Sequence, residues 1–232
     1  MFVVEHVNLA DADTRDLIAA FAIPRDHDAV SRYASTQRRL QGLAARALLR
    51  LMLERHAACA AESWLITHDP QGKPVVRRQD DGPLINVSIA HSHAVAACAI
   101  SDQGDIGIDV EYLGRTRAIH EIAASAFGER ERRLVTAGGP AAFYRIWTLR
   151  EALAKALGRG LPMVVDQTDY FDTAPTASDC RSHLLGRMAQ ASYRQISDHY
   201  GMAVVFLPRV QDPTGTPHRL REQSSADFDR RL

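Results

Sequence analysis

The sequence predicts an α+β fold made of two similar halves packed side by side, and three observations carry that prediction. The stretch "STQRRLQGLAARALLRLMLERHA" repeats its apolar residues at helical period. Two β-type runs, "INVSIAHSHAVAACAIS" and "GDIGIDVEY", follow it around short polar breaks. A late run, "GMAVVFLP", has the character of "HAVAACAIS" and stands at a similar place in the second half, as in a duplicated α+β unit.

Taken in order, the elements begin with a strand around Phe2 to Val7. In the long helix, Leu40, Leu43, Ala47, Leu48 and Leu51 keep the period. "HDPQGKPVV" reads as a turn into a strand, because Gly72 and Pro74 punctuate it and Val75 and Val76 follow. From Arg115 to Gly158 the character is helical, ending in "FYRIWTLREALAKALGRGL", where Gly158 is placed to cap the helix C-terminus. The expected division is a first half over 1–104, a second over 105–210, and a polar, turn-rich, mobile tail over 211–232.

Lys+Arg 28 against Asp+Glu 28 leaves no net charge to recruit nucleic acid or an anionic membrane, so any basic site is local. With 46% apolar residues, the 232-residue chain can build a real core in one large domain or two small ones. No window approaches the ~18 apolar residues that a transmembrane helix needs, and a soluble chain is expected. Cys59, Cys98 and Cys180 lie far apart without CxxC spacing. Neither a disulfide framework nor a zinc knuckle is indicated, and a cytoplasmic location is expected.

The acids of "GDIGIDVEY" are the first candidates for chemistry. Alternate residues of a strand share a face, so Asp109 and Glu111 present carboxylates side by side while Ile106, Ile108 and Val110 face a core. Two anions that close repel each other. A hard cation relieves the repulsion, and Mg²⁺ favours carboxylate oxygens while keeping water ligands for a phosphate-bearing substrate. Alone, the pair reads more simply as an edge strand whose polar face meets water.

Trp147, Glu151 and Lys155 follow i, i+4, i+8 spacing and share one stripe of the later helix, with Leu149, Leu153, Ala156 and Leu157 toward the core. Glu151 offers a further metal ligand or a general base, and Lys155 a counter-charge for a phosphate leaving group. The bland reading of the same residues is the common i, i+4 pair of an exposed helix. Arg39, Arg46 and Arg50 fall near one face of the first long helix, where guanidinium groups could grip a nucleotide phosphate. In isolation that face reads as solvated, with Arg50 paired to Glu54. His91 and His93 point one way on a strand, but no third soft ligand accompanies them, which favours a phosphate hydrogen bond or a structural role over zinc. Lys73 sits on a tight turn, usually a solvated position, from which a lysine can also reach a phosphate as a point charge.

In combination these blocks resemble the phosphopantetheinyl transferases, specifically the longer, monomeric, Sfp-like type. From Ser35 to Leu161 the order is Arg-rich helix, "GKP", "SIAHS", "IGIDVE" and "WTLREALAKALGRGL". The specific part is "GIDVE" about forty residues before WxxxExxxK.

The resemblance implies two similar α/β subdomains in a pseudo-two-fold arrangement. It also implies transfer of the 4′-phosphopantetheine arm of coenzyme A to a serine hydroxyl of an acidic, apo acyl or peptidyl carrier protein, releasing 3′,5′-ADP. Under the same resemblance Asp109, Glu111 and Glu151 match Mg²⁺ ligands. Glu151 also matches the acid that deprotonates the serine, and Lys155 the lysine near the pyrophosphate. His91 and Ser92 match an "HS" pair beside the coenzyme A 3′-phosphate, while Lys73 and Arg46 match basic positions at its nucleotide end. Attack of a neutral hydroxyl on a diphosphate needs a base, an aligned phosphorus and cations to absorb charge on the departing nucleotide, and each role has a candidate. The carrier protein is expected to dock on the stretch from Arg115 to Gly139, steered by Arg130, Arg132 and Arg133.

Three positions depart from the pattern: Arg150 replaces the usual lysine before the glutamate, Ala90 a common serine before the histidine, and His93 a common glycine after "HS". None removes a metal ligand. Two other functions compete. "GIDVE" also resembles the first acidic strand of DxE-type metal-dependent nucleases, with Asp166, Asp169 and Asp172 as further acids. A non-catalytic relative would bind coenzyme A or carrier protein without turnover.

Overall fold

The structure, a computed structural model, describes residues 2–57, 59–78, 82, 84–171, 179–184 and 187–209. The tail expected over 211–232 and Asp172 lie outside the described residues. Strand β1 (Phe2–Asn8) leads first to two short helices that periodicity did not reveal, α1 (Ala12–Phe21) and α2 (Pro24–Ser31). Pro24 opens α2 where a backbone N–H has no helical partner anyway, and the Asp26 carboxylate folds back to accept the Ile23 N–H at 3.2 Å. The expected long helix is α3 (Thr36–Ala57).

Strands β2 (Trp64–His68) and β3 (Pro74–Arg78) pair antiparallel across the Gly72 turn. Next come β4 (Asn86–Ser92), β5 (Val95–Ser101) and β6 (Gly104–Tyr112). The helical stretch resolves into α4 (Ile119–Ala126), α5 (Glu129–Leu157) and the short α6 (Leu161–Val164). Helix α5 is kinked at Gly139, just before Pro140, and ends at Gly158 with φ 64°, the left-handed cap expected of that glycine. The last strands are β7 (Asp179–Leu184), β8 (Arg187–Ser197) and β9 (Tyr200–Pro208).

Besides the two-stranded β2-β3 sheet, the described strands form two larger antiparallel sheets, one in the order β1-β5-β4 and one in the order β6-β9-β8-β7. Their central strands explain the layering. One face of β5, Ala96, Cys98 and Ile100, packs with Ala45, Leu48, Leu49 and Met52 of α3. One face of β9, Ala203, Val205 and Leu207, packs with Leu149, Ala152, Leu153 and Ala156 of α5. The opposite faces, Val95, Ala97 and Ala99 in β5 and Tyr200, Met202 and Val204 in β9, share a third core with Ile106, Ile108 and Val110. The order is helix, sheet, sheet, helix. Fully burying side chains such as Leu48, Leu49 and Leu53 contributes roughly 1.5–3 kcal/mol each.

Where the sheets meet edge to edge, β4 side chains replace a backbone ladder. Asn86 Nδ2 donates to the Gly104 carbonyl at 2.9 Å, and the Ile108 and Tyr112 N–H groups donate to Ser88 Oγ (3.1 Å) and Ser92 Oγ (3.0 Å). Among the described residues Cys59 and Cys98 are free thiols, and no helix is long and apolar enough to cross a membrane.

Candidate active site

Strand β6 sends Ile106, Ile108 and Val110 into the core between the sheets, which turns Gly107, Asp109 and Glu111 toward α5. Gly107 sets the distance. A Cβ at that position would overlap the Ala152 carbonyl oxygen, so only glycine lets the helix lie directly on the strand. The helix thereby brings Glu151 and Lys155 over the two acids.

Lys155 Nζ donates to Asp109 Oδ1 at 2.8 Å, a pairing across elements in place of the i, i+4 pair with Glu151. Asp109 Oδ2 is buried and has no hydrogen-bond partner. Burial pushes the Asp109 carboxyl above its ordinary range, with Lys155 opposing the shift. Glu111 accepts from Arg117 Nη2 on both oxygens (3.0 and 3.1 Å) and from Trp147 Nε1 on Oε1 at 3.0 Å. Its carboxyl is raised by burial and then by the Asp109 charge. Glu151 is raised most: burial, then Asp109, lift it to about 7 against the pull of Lys155. One acid raises another only at close range, so the three carboxylates form one electrostatic unit.

The facing wall comes from the first half. Asp69 Oδ1 accepts the Gln71 and Lys73 N–H groups at 3.0 and 2.8 Å, which fixes the "GKP" turn. From it Lys73 Nζ reaches across to the Ala156 carbonyl at 3.1 Å. Burial lowers its ammonium below the usual lysine value, with Asp105 and Asp69 opposing. A cavity of about 410 Å³ opens between these walls, lined by Lys73, Ser88, Lys155, Gly158, Arg159 and Gly160 among others.

The remaining expected contacts lie elsewhere. His91 Nδ1 is 3.3 Å from Arg38 Nη1. Arginine only donates, so Nδ1 accepts and the ring proton sits on Nε2. Burial and then Arg38 hold this imidazole below its ordinary value. Ser92 Oγ is engaged in the seam between the sheets. Arg46 is 8% exposed, bound to Asp26 Oδ1 at 3.1 Å, and does not line the cavity. Arg50 is held by the same Asp26 at 2.6 Å and not by Glu54, whose carboxylate accepts the Ala61 N–H at 3.0 Å. The cause is α2, which inserts a buried acid between the two guanidinium groups. Burial alone would raise Asp26, and the arginines outweigh it and hold its carboxyl below the usual range.

The three departures have physical accounts. His93 has φ 51°, the left-handed region that favours glycine; its carbonyl accepts Gln37 and Gln41 Nε2 at 2.8 Å each, and its ring stacks on Tyr112 at 4.7 Å. Ala90 lies on the face of β4 that carries Ser88 and Ser92 and puts a methyl where they put hydroxyls. Arg150 is 1% exposed and bound to Glu131 at 2.6 Å, Asp166 at 3.1 Å and backbone carbonyls of Ala126, Val164 and Thr168. Lysine could not reach so many acceptors with one nitrogen.

The two described acids of the competing nuclease reading, Asp166 and Asp169, are used structurally. Asp166 binds Arg150, and Asp169 accepts the Arg130 and Glu131 N–H groups (3.2 and 2.9 Å) at the start of α5. Arg117 and Arg38 were not anticipated, because each sits where no periodicity announces its partner; Arg159 stood unremarked inside "GRGL".

Among the described residues no group of three or more His, Cys, Asp or Glu side chains is arranged as a ready metal site. Lys155 holds the Asp109 oxygen that a cation would take. The donors nevertheless suit a hard divalent ion: all are oxygens, and one of them, Asp109 Oδ2, is buried without a partner.

Residues 105–205, which contain both the acidic strand and α5, match the 4′-phosphopantetheinyl transferase superfamily. The Synechocystis sp. protein slr0495, which bears a 4′-phosphopantetheinyl transferase name, is 28% identical over 186 residues, covering 75% of this chain and 75% of its own. The 4′-phosphopantetheinyl transferase HetI of Nostoc sp. is 32% identical over 137 residues, 56% of this chain and 57% of its own. AcpT of Salmonella typhi, also a 4′-phosphopantetheinyl transferase, is 28% identical over 120 residues, 50% of this chain and 61% of its own. The chain thus spans three quarters of the first relative and less than two thirds of the other two. Holo-[acyl-carrier-protein] synthase of Thermotoga maritima overlaps with a TM-score of 0.31 at 23% identity, over 47% of this chain and 65% of that one, too little to define the fold. The acids of that strand and the helix laid on it both fall within residues 105–205, the block in which this chain is similar to the 4′-phosphopantetheinyl transferase superfamily and to these relatives.

Proposed function

We propose that this protein transfers the 4′-phosphopantetheine arm of coenzyme A to a serine hydroxyl of an acidic apo acyl or peptidyl carrier protein, releasing 3′,5′-ADP. The reading is carried by one observation: Asp109, Glu111 and Glu151 converge beside a cavity whose walls carry Lys73 and Lys155. The three carboxylates would hold Mg²⁺, which when bound neutralises charge on the diphosphate. Glu151, raised to about 7, is poised to take the serine proton as Oγ forms its bond to phosphorus and the bond to the departing nucleotide breaks. Lys155 then meets the charge on the leaving phosphate. Lys73 holds the nucleotide end, and the Nε2–H of His91, backed by Arg38, meets the 3′-phosphate with Ser92. Arg46 joins them only by leaving Asp26.

The reading extends to the whole chain. Residues 1–104 form the nucleotide half and 105–210 the acidic half, related by a pseudo-two-fold axis in a monomer that works in the cytoplasm. Carrier protein docks on the 115–139 stretch beside the cleft, drawn by Arg130, Arg132 and Arg133.

The test is intact-mass spectrometry of apo carrier proteins incubated with the protein, coenzyme A and Mg²⁺, with Asp109→Ala and Glu151→Ala in parallel. A phosphopantetheine gain that both variants lose is the expected result. Coenzyme A binding with no gain on any carrier would leave a non-catalytic relative.

A further inference from the structure

We infer that Arg117, on the loop between β6 and α4, is a positioning residue that aims Glu111 at the cation. The inference rests on the reading of Glu111 as a Mg²⁺ ligand given above. Both side chains are largely buried, with Arg117 at 15% and Glu111 at 13% exposed, so this is not a screened surface pair. Arg117 Nη2 touches both carboxylate oxygens at 3.0 and 3.1 Å, and Trp147 Nε1 adds a third donor to Oε1 at 3.0 Å. A carboxylate offers about four acceptor directions, so after these three donors Oε2 keeps one open.

The guanidinium is itself clamped. It lies over the rings of Tyr144 and Trp147, 5.7 and 5.6 Å from their centroids, and Tyr144 Oη donates to the Arg115 carbonyl of the same loop. A placeholder that departs when a cation arrives would not be packed between two rings and tied to its own loop. Hydrogen-bonded supports of this kind fix the direction of a ligating carboxylate, and losing one weakens metal binding by about 10–100-fold.

The experiment is Mn²⁺ titration of the full chain, followed by the electron paramagnetic resonance signal of the free ion and by Mg²⁺ competition. Wild type is compared with Arg117→Ala, Arg117→Lys, Trp147→Phe and Asp109→Ala, with circular dichroism checking each fold. Arg117→Ala is expected to weaken Mn²⁺ binding at least tenfold and Arg117→Lys to recover part of the loss, while coenzyme A affinity without cation stays unchanged. Should Arg117→Ala not fold, Arg117→Lys and Trp147→Phe, each removing one support, are expected to weaken binding severalfold. If Asp109→Ala abolishes binding and the Arg117 variants bind as tightly as wild type or more tightly, the inference is overturned and the acidic site stands. If wild type does not bind Mn²⁺, or Asp109→Ala binds as wild type does, the acidic site itself fails and the inference with it.

Discussion

Glu151 is a carboxylate whose ionisation works against the folded state. Burial and the neighbouring acids lift it from 4.5 to about 7, so the folded chain holds that proton more tightly than the unfolded one. The stability this gives is fully present below the unfolded value and is lost as pH rises from 4.5 through about 7. In cation-free buffer Glu151→Gln is therefore expected to melt higher than wild type at pH 8 and not at pH 5. The ceiling is about 3 kcal/mol, reduced by solvent screening because Glu151 is only partly buried. Thermal denaturation at the two pH values checks this, and an equal offset at both would contradict it. Added Mg²⁺ should narrow the gap, since only wild type keeps all three carboxylates. At this scale strand and helix periods put Asp109, Glu111, Glu151 and Lys155 on defined faces, while their grouping with Lys73 was legible only through the family resemblance. Arg46 was not, because its partner Asp26 comes from a different element.

The pairing of β6 with α5 depends on two residues that carry no chemistry of their own. Gly107 lets the Ala152 carbonyl approach the strand, so Gly107→Ala must push the helix away from Asp109 and Glu111. The expected effects are about 1–3 kcal/mol of lost stability and roughly 100-fold lost turnover, measured by denaturation and by carrier modification. A variant that loses stability without losing turnover would show that the helix need not sit so close. Arg150 ties the C-terminal part of α5 to its first turn through Glu131, to α4 through the Ala126 carbonyl, and to the 163–168 segment through Asp166 and the Met163, Val164 and Thr168 carbonyls. Arg150→Ala leaves Glu131 as an unpaired buried charge and is expected to cost about 3–5 kcal/mol; Arg150→Lys should cost less but remain destabilising. Long elements such as α3 and α5 were readable from their repeats. The eight-residue α2 offers barely two turns of pattern, which is why the buried Asp26 that holds Arg46 and Arg50 escaped notice.

Across the whole molecule, "HAVAACAIS" and "GMAVVFLP" look alike because each is an inner strand of a sheet with a helix on one face and the other sheet on the opposite face. Apolar residues at every position announce two buried faces without saying which partner each face meets, so the four-layer stacking could not be read from them. That stacking binds the halves: the core between the sheets draws on β4, β5, β6 and β9, and the Asn86, Ser88 and Ser92 side chains close the seam. Separating the sheets would expose the apolar faces of both and exchange the Ile108 and Tyr112 N–H hydrogen bonds for water, a loss of about 0.5–1.5 kcal/mol each. The halves are therefore expected to unfold together. The chain has Trp 2, and the two fall in different layers, Trp64 against α3 and Trp147 on α5, so each half carries its own fluorescent reporter. In Trp64→Phe only Trp147 reports, and in Trp147→Phe only Trp64. Within each variant the urea midpoint by fluorescence should coincide with the midpoint by far-ultraviolet circular dichroism. Separate midpoints would mean that the β6-β9-β8-β7 sheet with α5 can open while the β1-β5-β4 sheet with α3 stays folded, and the cleft would then lie between two independently stable units instead of within one cooperative fold.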